Sequence, residues 1–300
     1  MGHHHHHSIS GKNLGLAVIL NVVITLGQII GGVWSGSLAL LSDAAHNFSD
    51  VLALVIAYLA NRLSRNRKQN IRQTYGFKRA EIIAAFINAS TLIVIAVFLI
   101  AEAVKRFIRP EPVQADIVIW LALLSIIANG ISVLLLLKDA KHNLNMKAAY
   151  IHLLSDMLTS FAVLGGGLVM QFSGVVGIDA FLSAGIALYL IYTGIKLWLE
   201  SFEILMQFAP GEIKIDDINR RIKAIEGVKN IHHVHIWRLN EHEIHFDAHL
   251  AFEKDIKLSE FDRICEQVEN ILRNEFGIFH TNIQPEYQRN ESHLYIIQDR

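Results

Sequence analysis

Cysteine is almost absent from this chain, with Cys265 standing alone among 300 residues. A single thiol excludes an internal disulfide and any zinc site built from several thiolates. Charge is scarce too. Asp, Glu, Lys and Arg make up 18% of the sequence, where a soluble domain carries about 25%. Hydrophobic residues make up 52%, and mean hydropathy is +0.34. A large part of the chain therefore does not meet water. Neither sign of charge dominates: the net charge of −1 and pI near 7 give no case for nucleic-acid binding. With thiols lacking, metal chemistry must rely on imidazole and carboxylate, and sixteen histidines are available for it.

Asn13–Ser42 contains no Asp, Glu, Lys or Arg. Within it Leu14–Trp34 is long enough to cross a bilayer, since about 20 residues at a 1.5 Å rise span a ~30 Å hydrocarbon core. Trp34 closes the span as an interfacial aromatic, and Ser35-Gly36-Ser37 makes a tight turn. A second span, Leu38 to about Asn61, carries only Asp43, His46 and Asp50 as ionisable residues. Ile82–Ala101, Ile117–Leu137, Ala148–Phe172 and Ala180–Ile195 complete an expected bundle of six helices. The first apolar run is too long for the h-region of a cleavable signal peptide and lacks its basic flank. His3–His7 reads either as an affinity tag or as a metal-collecting tail.

Loop charge sets the expected orientation. Arg62, Arg65, Arg67, Lys68, Arg72, Lys78 and Arg79 crowd the connection between spans two and three, and Lys138, Lys141 and Lys147 that between four and five. The loops after spans one and five have no basic residue. Both termini are therefore expected in the cytoplasm, with Lys105, Arg106 and Arg109 against the trend.

After about Pro210 the composition becomes that of a soluble domain. Asp216–Glu226 has the spacing of an amphipathic helix, and Val228–Leu239 and Glu243–Phe252 that of strands around an Asn240-Glu241 turn. A helix over Leu258–Phe276 with a cap at or near Ser259, and a strand over Ile278–Tyr287, complete a small α+β unit in the order αββαβ. The expected organisation is a tail at 1–13, a transmembrane domain at 14–208, an α+β domain at 209–288 and a tail at 289–300.

Two strings inside the spans carry the chemistry: His46-Asn47-Phe48-Ser49-Asp50 and His152-Leu153-Leu154-Ser155-Asp156. Residues four apart on a helix share one face, so each string presents an imidazole beside a carboxylate. Ionisable groups at membrane depth are expensive and mark an ion pathway or a binding site. Together the strings offer two nitrogens and two oxygens, a set suited to Zn²⁺ rather than to Mg²⁺ or Ca²⁺. The bland alternative is hydrogen bonding between helices, His46 to Asp156 and His152 to Asp50. Asp43 reads as support for the site or as a proton relay, Asn47 and Asn129 as packing or hydrogen-bonding groups, Arg79 and Glu81 as a pair, and Asp179 as the cap of span six. His232, His233, His235, His242, His245 and His249 crowd into eighteen residues of the soluble domain.

The runs Ser37-Leu38-Ala39-Leu40-Leu41-Ser42-Asp43-Ala44-Ala45-His46, Tyr75-Gly76-Phe77-Lys78-Arg79-Ala80-Glu81, His152-Leu153-Leu154-Ser155-Asp156 and His232-His233-Val234-His235-Ile236-Trp237 resemble the cation diffusion facilitator family. The resemblance runs from about Leu14 to Tyr287. It implies a homodimeric divalent-cation/proton antiporter with six helices and a cytoplasmic ferredoxin-like, metallochaperone-like domain, expected in a bacterial inner membrane. It also implies a transport site at His46, Asp50, His152 and Asp156. A second, dimer-interface zinc site would fall on His232, His249, Asp262 and Glu286. Zn²⁺ would then be both cargo and a regulatory or structural ion, with Cd²⁺, Co²⁺ and Fe²⁺ as competing cargoes. Asp262 and Gln284 stand where some relatives have His.

Zinc needs neutral imidazole, so protons and metal compete for the same atoms near an ordinary histidine pKa of about 6.5. Other functions are weighed on the same residues. A b-type cytochrome would use His46 and His152 as haem ligands but leaves both aspartates unexplained. An intramembrane metalloprotease would need a glutamate after the first histidine, where Asn47 and Leu153 stand. A passive channel would conduct without regard to pH. The chain is expected not to be an enzyme.

Overall fold

The computed structural model describes residues 9–65, 74–137, 144–175 and 177–288. The His3–His7 run, His142 and the side chains of Arg62, Arg65, Arg67, Lys68, Arg72, Lys138 and Lys141 lie outside the described residues. The chain divides into two compact units. One holds the helical residues up to Leu59 and from Ala84 to Trp198, the other Ala60–Ile83 with the chain from Leu199 onward.

Six long helices form in order: α1 Ile9–Ser35, α2 Leu38–Arg65, α3 Ala80–Ile108, α4 Ala115–Leu136, α5 Leu144–Ser173 and α6 Gly177–Leu205. Among the described residues α1, α3, α4, α5 and α6 each contain a stretch long and apolar enough to cross a membrane by length and composition. Ser42, Asp43, His46, Asn47, Ser49 and Asp50 fall in the first half of α2. Ser42, Asp43, Asn47 and Ser49 are buried, whereas Val33, Trp34, Phe98, Trp120, Leu134, Phe172 and Tyr192 face outward on the other helices. Polar groups inside and large apolar groups outside is the arrangement a bilayer demands, and the chain is an integral membrane protein. α6 continues ten residues past the expected end of its span at Ile195. Lys196, Glu200 and Glu203 end the apolar run but leave the backbone ladder intact.

The expected turn between α1 and α2 forms at Gly36, whose φ of +71° suits glycine, and the Arg106 guanidinium donates to its carbonyl. Asp179, expected from sequence as the cap of its own helix, caps α2. Its Oδ1 accepts from Ser37 Oγ (2.5 Å) and its Oδ2 from the Leu38 N–H (2.7 Å). The free N–H groups and positive dipole end of α2 attract the carboxylate from the first turn of α6. α1 packs closely on α4 at Gly31, where any Cβ would overlap Leu121.

In the second unit α7 (Ile215–Lys223), β1 (Val228–Arg238), β2 (Ile244–Phe252), α8 (Leu258–Phe276) and β3 (His280–Glu286) follow the expected αββαβ order. β1 runs antiparallel to β2, and β2 runs parallel to β3 through the α8 crossover. The Asn240 side chain accepts the N–H groups of His242 and Glu243 and so shapes the hairpin turn. α8 starts at Lys257 without a side-chain cap, so Ser259 does not play that part; Gly277, left-handed, ends it. Ile218 and Ile222 of α7 and Ile264, Val268 and Leu272 of α8 pack on Ile231, Val234, Ile236, Phe246, Ala248 and Leu250. Since strand side chains alternate, the opposite face of the sheet receives His232, His235, Trp237, His245 and His249.

Candidate metal centre

α2 brings His46 and Asp50 to the inside of the helical unit one turn apart, and α5 does the same with His152 and Asp156. His46 Nε2 lies 3.3 Å from Asp156 Oδ1 and 3.7 Å from Asp50 Oδ2. His152 Nε2 lies 3.1 Å from Asp50 Oδ2 and 3.7 Å from Asp156 Oδ2. Each carboxylate therefore bridges both imidazoles, and one ligand atom from each residue lies within 4.8 Å of every other. Side-chain exposure rises from 1% at Asp156 through 12% at His46 and 26% at Asp50 to 42% at His152, so the group opens on the His152 side. Both Asp156 oxygens, Asp50 Oδ2 and His46 Nδ1 are buried without a hydrogen bond. Buried carboxylate oxygens lacking donors are costly, and a cation held between the four residues would satisfy them.

A polar shell ties this group to its neighbours. Gln28 of α1 donates to Asp43 Oδ2 (2.6 Å) and Ser125 Oγ (3.3 Å), and Asn47 donates to Gln28 Oε1 (3.0 Å). The Thr159 hydroxyl donates to the other Asp43 oxygen at 2.8 Å. Asp43 thus supports the site from one turn away, among partners that are all donors. The sequence pattern does not single out Gln28 and Thr159, although amides in a span free of charge are themselves a signal. Asn129 is buried with its amide nitrogen unpartnered.

On the C-terminal sheet Glu286 Oε2 lies 3.1 Å from His232 Nε2, and its Oε1 lies 3.0 Å from His249 Nδ1. These three form a second group able to hold a metal. Burial holds the His249 imidazole below its ordinary pKa, against the pull of Glu286, and so favours the neutral form that binds metal. Asp262 does not join them. It is exposed on α8, and that helix packs on the face of the sheet opposite the histidines. Nor do Arg79 and Glu81 pair among the described residues; Lys78 instead binds both carboxylate oxygens of Glu243, at 2.8 and 2.6 Å.

Helical spans around a buried imidazole–carboxylate group, followed by a histidine-faced α+β domain, define an integral membrane protein equipped to hold cations in both parts. Residues 14–206 match the cation efflux transmembrane domain, and residues 210–288 match the cation efflux protein cytoplasmic domain. The chain belongs to this cation efflux family, the cation diffusion facilitators, a family of transporters rather than enzymes. The cadmium, cobalt and zinc/H(+)-K(+) antiporter of Bacillus subtilis (strain 168) is 34% identical over 95% of this chain and 92% of its own length. The zinc transporter ZitB of Escherichia coli (strain K12) is 34% identical over 96% and 93%. The metal cation efflux system protein CzcD of Cupriavidus metallidurans is 31% identical over 95% and 90%. Among solved structures, the metal-bound C-terminal domain of the CzcD transporter aligns with 25% of this chain and 99% of its own, at 24% identity and a TM-score of 0.23.

Proposed function

We propose that the protein exports Zn²⁺ from the cytoplasm in exchange for protons, loading and releasing the ion at His46, Asp50, His152 and Asp156. The observation that carries this reading is the buried Asp156 carboxylate, whose oxygens lie against both imidazoles without a well-formed hydrogen bond to either. Simple hydrogen bonding between helices would leave a buried carboxylate without a well-formed donor, whereas a cation among the four residues satisfies every ligand atom. The mixed nitrogen and oxygen set favours Zn²⁺, with Cd²⁺ and Co²⁺ close behind. Those three are the divalent ions in the name of the Bacillus relative, which also names H(+) and K(+).

Coupling to protons follows from the ligands. Open to a near-neutral cytoplasm, the imidazoles are free to take metal; open to a more acidic exterior, they take protons and release it. No separate proton carrier is needed. On this reading the protein sits as a homodimer in a bacterial inner membrane with both termini in the cytoplasm. The group at His232, His249 and Glu286 holds a regulatory or structural Zn²⁺, and Asp262 would reach that site only from a second copy. Nothing supports a haem between His46 and His152, because the carboxylates of Asp50 and Asp156 each bridge the two imidazoles where the macrocycle would lie.

The test is zinc flux into proteoliposomes under an imposed pH gradient, comparing wild type with Asp50→Ala. Wild-type flux is expected to follow the gradient and the variant to show none. Flux that ignores the gradient, or that survives the substitution, overturns the mechanism.

A further inference from the structure

The ligands placed so far leave two histidines of β1 unused. Between the cross-strand pairs His232↔His249 and His235↔Asp247, β1 carries one residue more than β2. This bulge holds His233 at a φ of +51°. A side chain with a Cβ seldom keeps that conformation, and does so where its surroundings enforce it. Here the enforcing contacts are rings. The His233 imidazole stacks on His249 with centroids 4.5 Å apart, and meets His235 edge-on at 4.7 Å.

The outcome is that His233 Nε2 and His235 Nε2 lie 3.3 Å apart. In a regular strand, residues two apart on one face are separated by roughly 6.5–7 Å, so the bulge closes the pair to chelating distance. Two imidazole nitrogens on one Zn²⁺, with bonds of about 2.0–2.1 Å at a tetrahedral angle, lie about 3.3–3.4 Å from each other. His235 is exposed and His233 half-buried, so the pair is open to solvent. Asp247, directly across the ladder from His235, shares its face of the sheet.

We propose that His233 and His235 chelate a second divalent cation on the C-terminal domain, with Asp247 adding a carboxylate and water completing the shell. The site is separate from the one at His232, His249 and Glu286, because its two nitrogens face each other whereas the Glu286 carboxylate is met by His232 and His249. Its ligands select a borderline cation such as Zn²⁺ or Co²⁺ over Mg²⁺ or Ca²⁺. It requires nothing of the transport cycle, so it stands or falls independently of the exchange mechanism.

The experiment titrates the full-length protein in detergent with Zn²⁺ against a chromophoric chelator. Wild type is compared with His233→Gly, which suits the left-handed backbone while removing the imidazole, and with His235→Ala. All three carry the same His3–His7 run, so its contribution cancels in the difference. Each variant is expected to bind about one Zn²⁺ fewer per chain at an unchanged melting temperature, and adding Glu286→Gln to either removes a further one. Equal stoichiometry and affinity in wild type and both variants would overturn the site and leave the 3.3 Å contact as a ring-to-ring hydrogen bond. So would a His233→Gly variant that loses the Glu286-dependent ion as well, since the two sites would then be one.

Discussion

The group on α2 and α5 and the group on the C-terminal sheet share one chemistry but hold it by different means. In the helical unit all four ligands ride on two rods, one imidazole and one carboxylate on each. The pairs along each helix are fixed by the helical repeat, while the cross-helix contacts of 3.1 and 3.3 Å depend on how α2 and α5 lie. A small slide of one rod past the other dismantles the whole set at once. On the sheet, His232, His249 and Glu286 come from three strands locked into one hydrogen-bonded ladder, and their spacing changes only if the ladder opens. Alternating access needs a site that can be unmade; a regulatory or structural ion needs one that cannot. On the proposed function, the two architectures suit carrying and holding respectively.

The largest effect that would break this division is expected at Asp156. It is the deepest of the four ligands, and both of its oxygens lack a well-formed hydrogen bond. Asp156→Ala should lower Zn²⁺ affinity at the membrane site by at least about 100-fold, more than the 10–100-fold typical of a supporting residue. Titration in a His233→Gly/Glu286→Gln background, with both proposed sheet sites removed and the same His3–His7 run in parent and variant, isolates the change. Affinity within a factor of a few of the parent would place the cargo elsewhere and dissolve the comparison.

A smaller effect sharpens it from the other side. His232→Ala or His249→Ala should abolish the stabilisation that Zn²⁺ confers on the C-terminal domain, about 2.7 kcal/mol when free metal is 100 times Kd. Dimer stability should fall with it, while the membrane site still binds zinc. Thermal unfolding with and without Zn²⁺ measures the first, and sedimentation the second. Loss of membrane-site binding in either variant would show that holding and carrying are not separate.

The same contrast explains what was legible in the sequence. A spacing of four on a helix is local, so His46–Asp50 and His152–Asp156 were readable as pairs, and the order of all eleven elements followed from apolar periodicity. Which pair faces which is not local. The choice of Asp179 to cap α2 rather than its own helix depends on the packing of α6 beside α2, and the Gln28–Asp43 bond on that of α1. On the sheet, register decides everything. His232, His249 and Glu286 meet only through strand pairing, so without the family resemblance the six crowded histidines could not be sorted into ligands and bystanders. Asp262 lies on the far side of the sheet within one chain, so its expected place in a dimer-interface site depends on packing between two copies, which no local pattern encodes. The bulge at His233 accompanies the stack on His249, a cross-strand contact that no local pattern encodes.

The smallest effect concerns whether acid sensitivity in the C-terminal domain belongs to its metal ligands or to its fold. His245 is buried on the ligand-bearing face of the sheet, yet it is not one of the three ligands. It stacks on Trp237 at 5.3 Å, meets Tyr75 edge-on at 5.5 Å and lies 4.2 Å from the His280 ring, centroid to centroid. Burial above all, with His280, Lys78 and Arg79 adding to it, holds its pKa below the ordinary imidazole value, while Glu243 pulls the other way. The folded domain therefore binds fewer protons here than the unfolded chain once pH falls below about 6.5. Stability contributed by the neutral ring is present above that value and is lost as pH drops through it, with a slope of up to about 1.4 kcal/mol per pH unit. Unfolding followed by tryptophan fluorescence should show this slope in wild type and a flatter one in His245→Gln, and both should persist with a chelator present. A slope that vanishes with the chelator would assign acid sensitivity to the metal ligands and make holding, like carrying, a matter of protons competing with the ion.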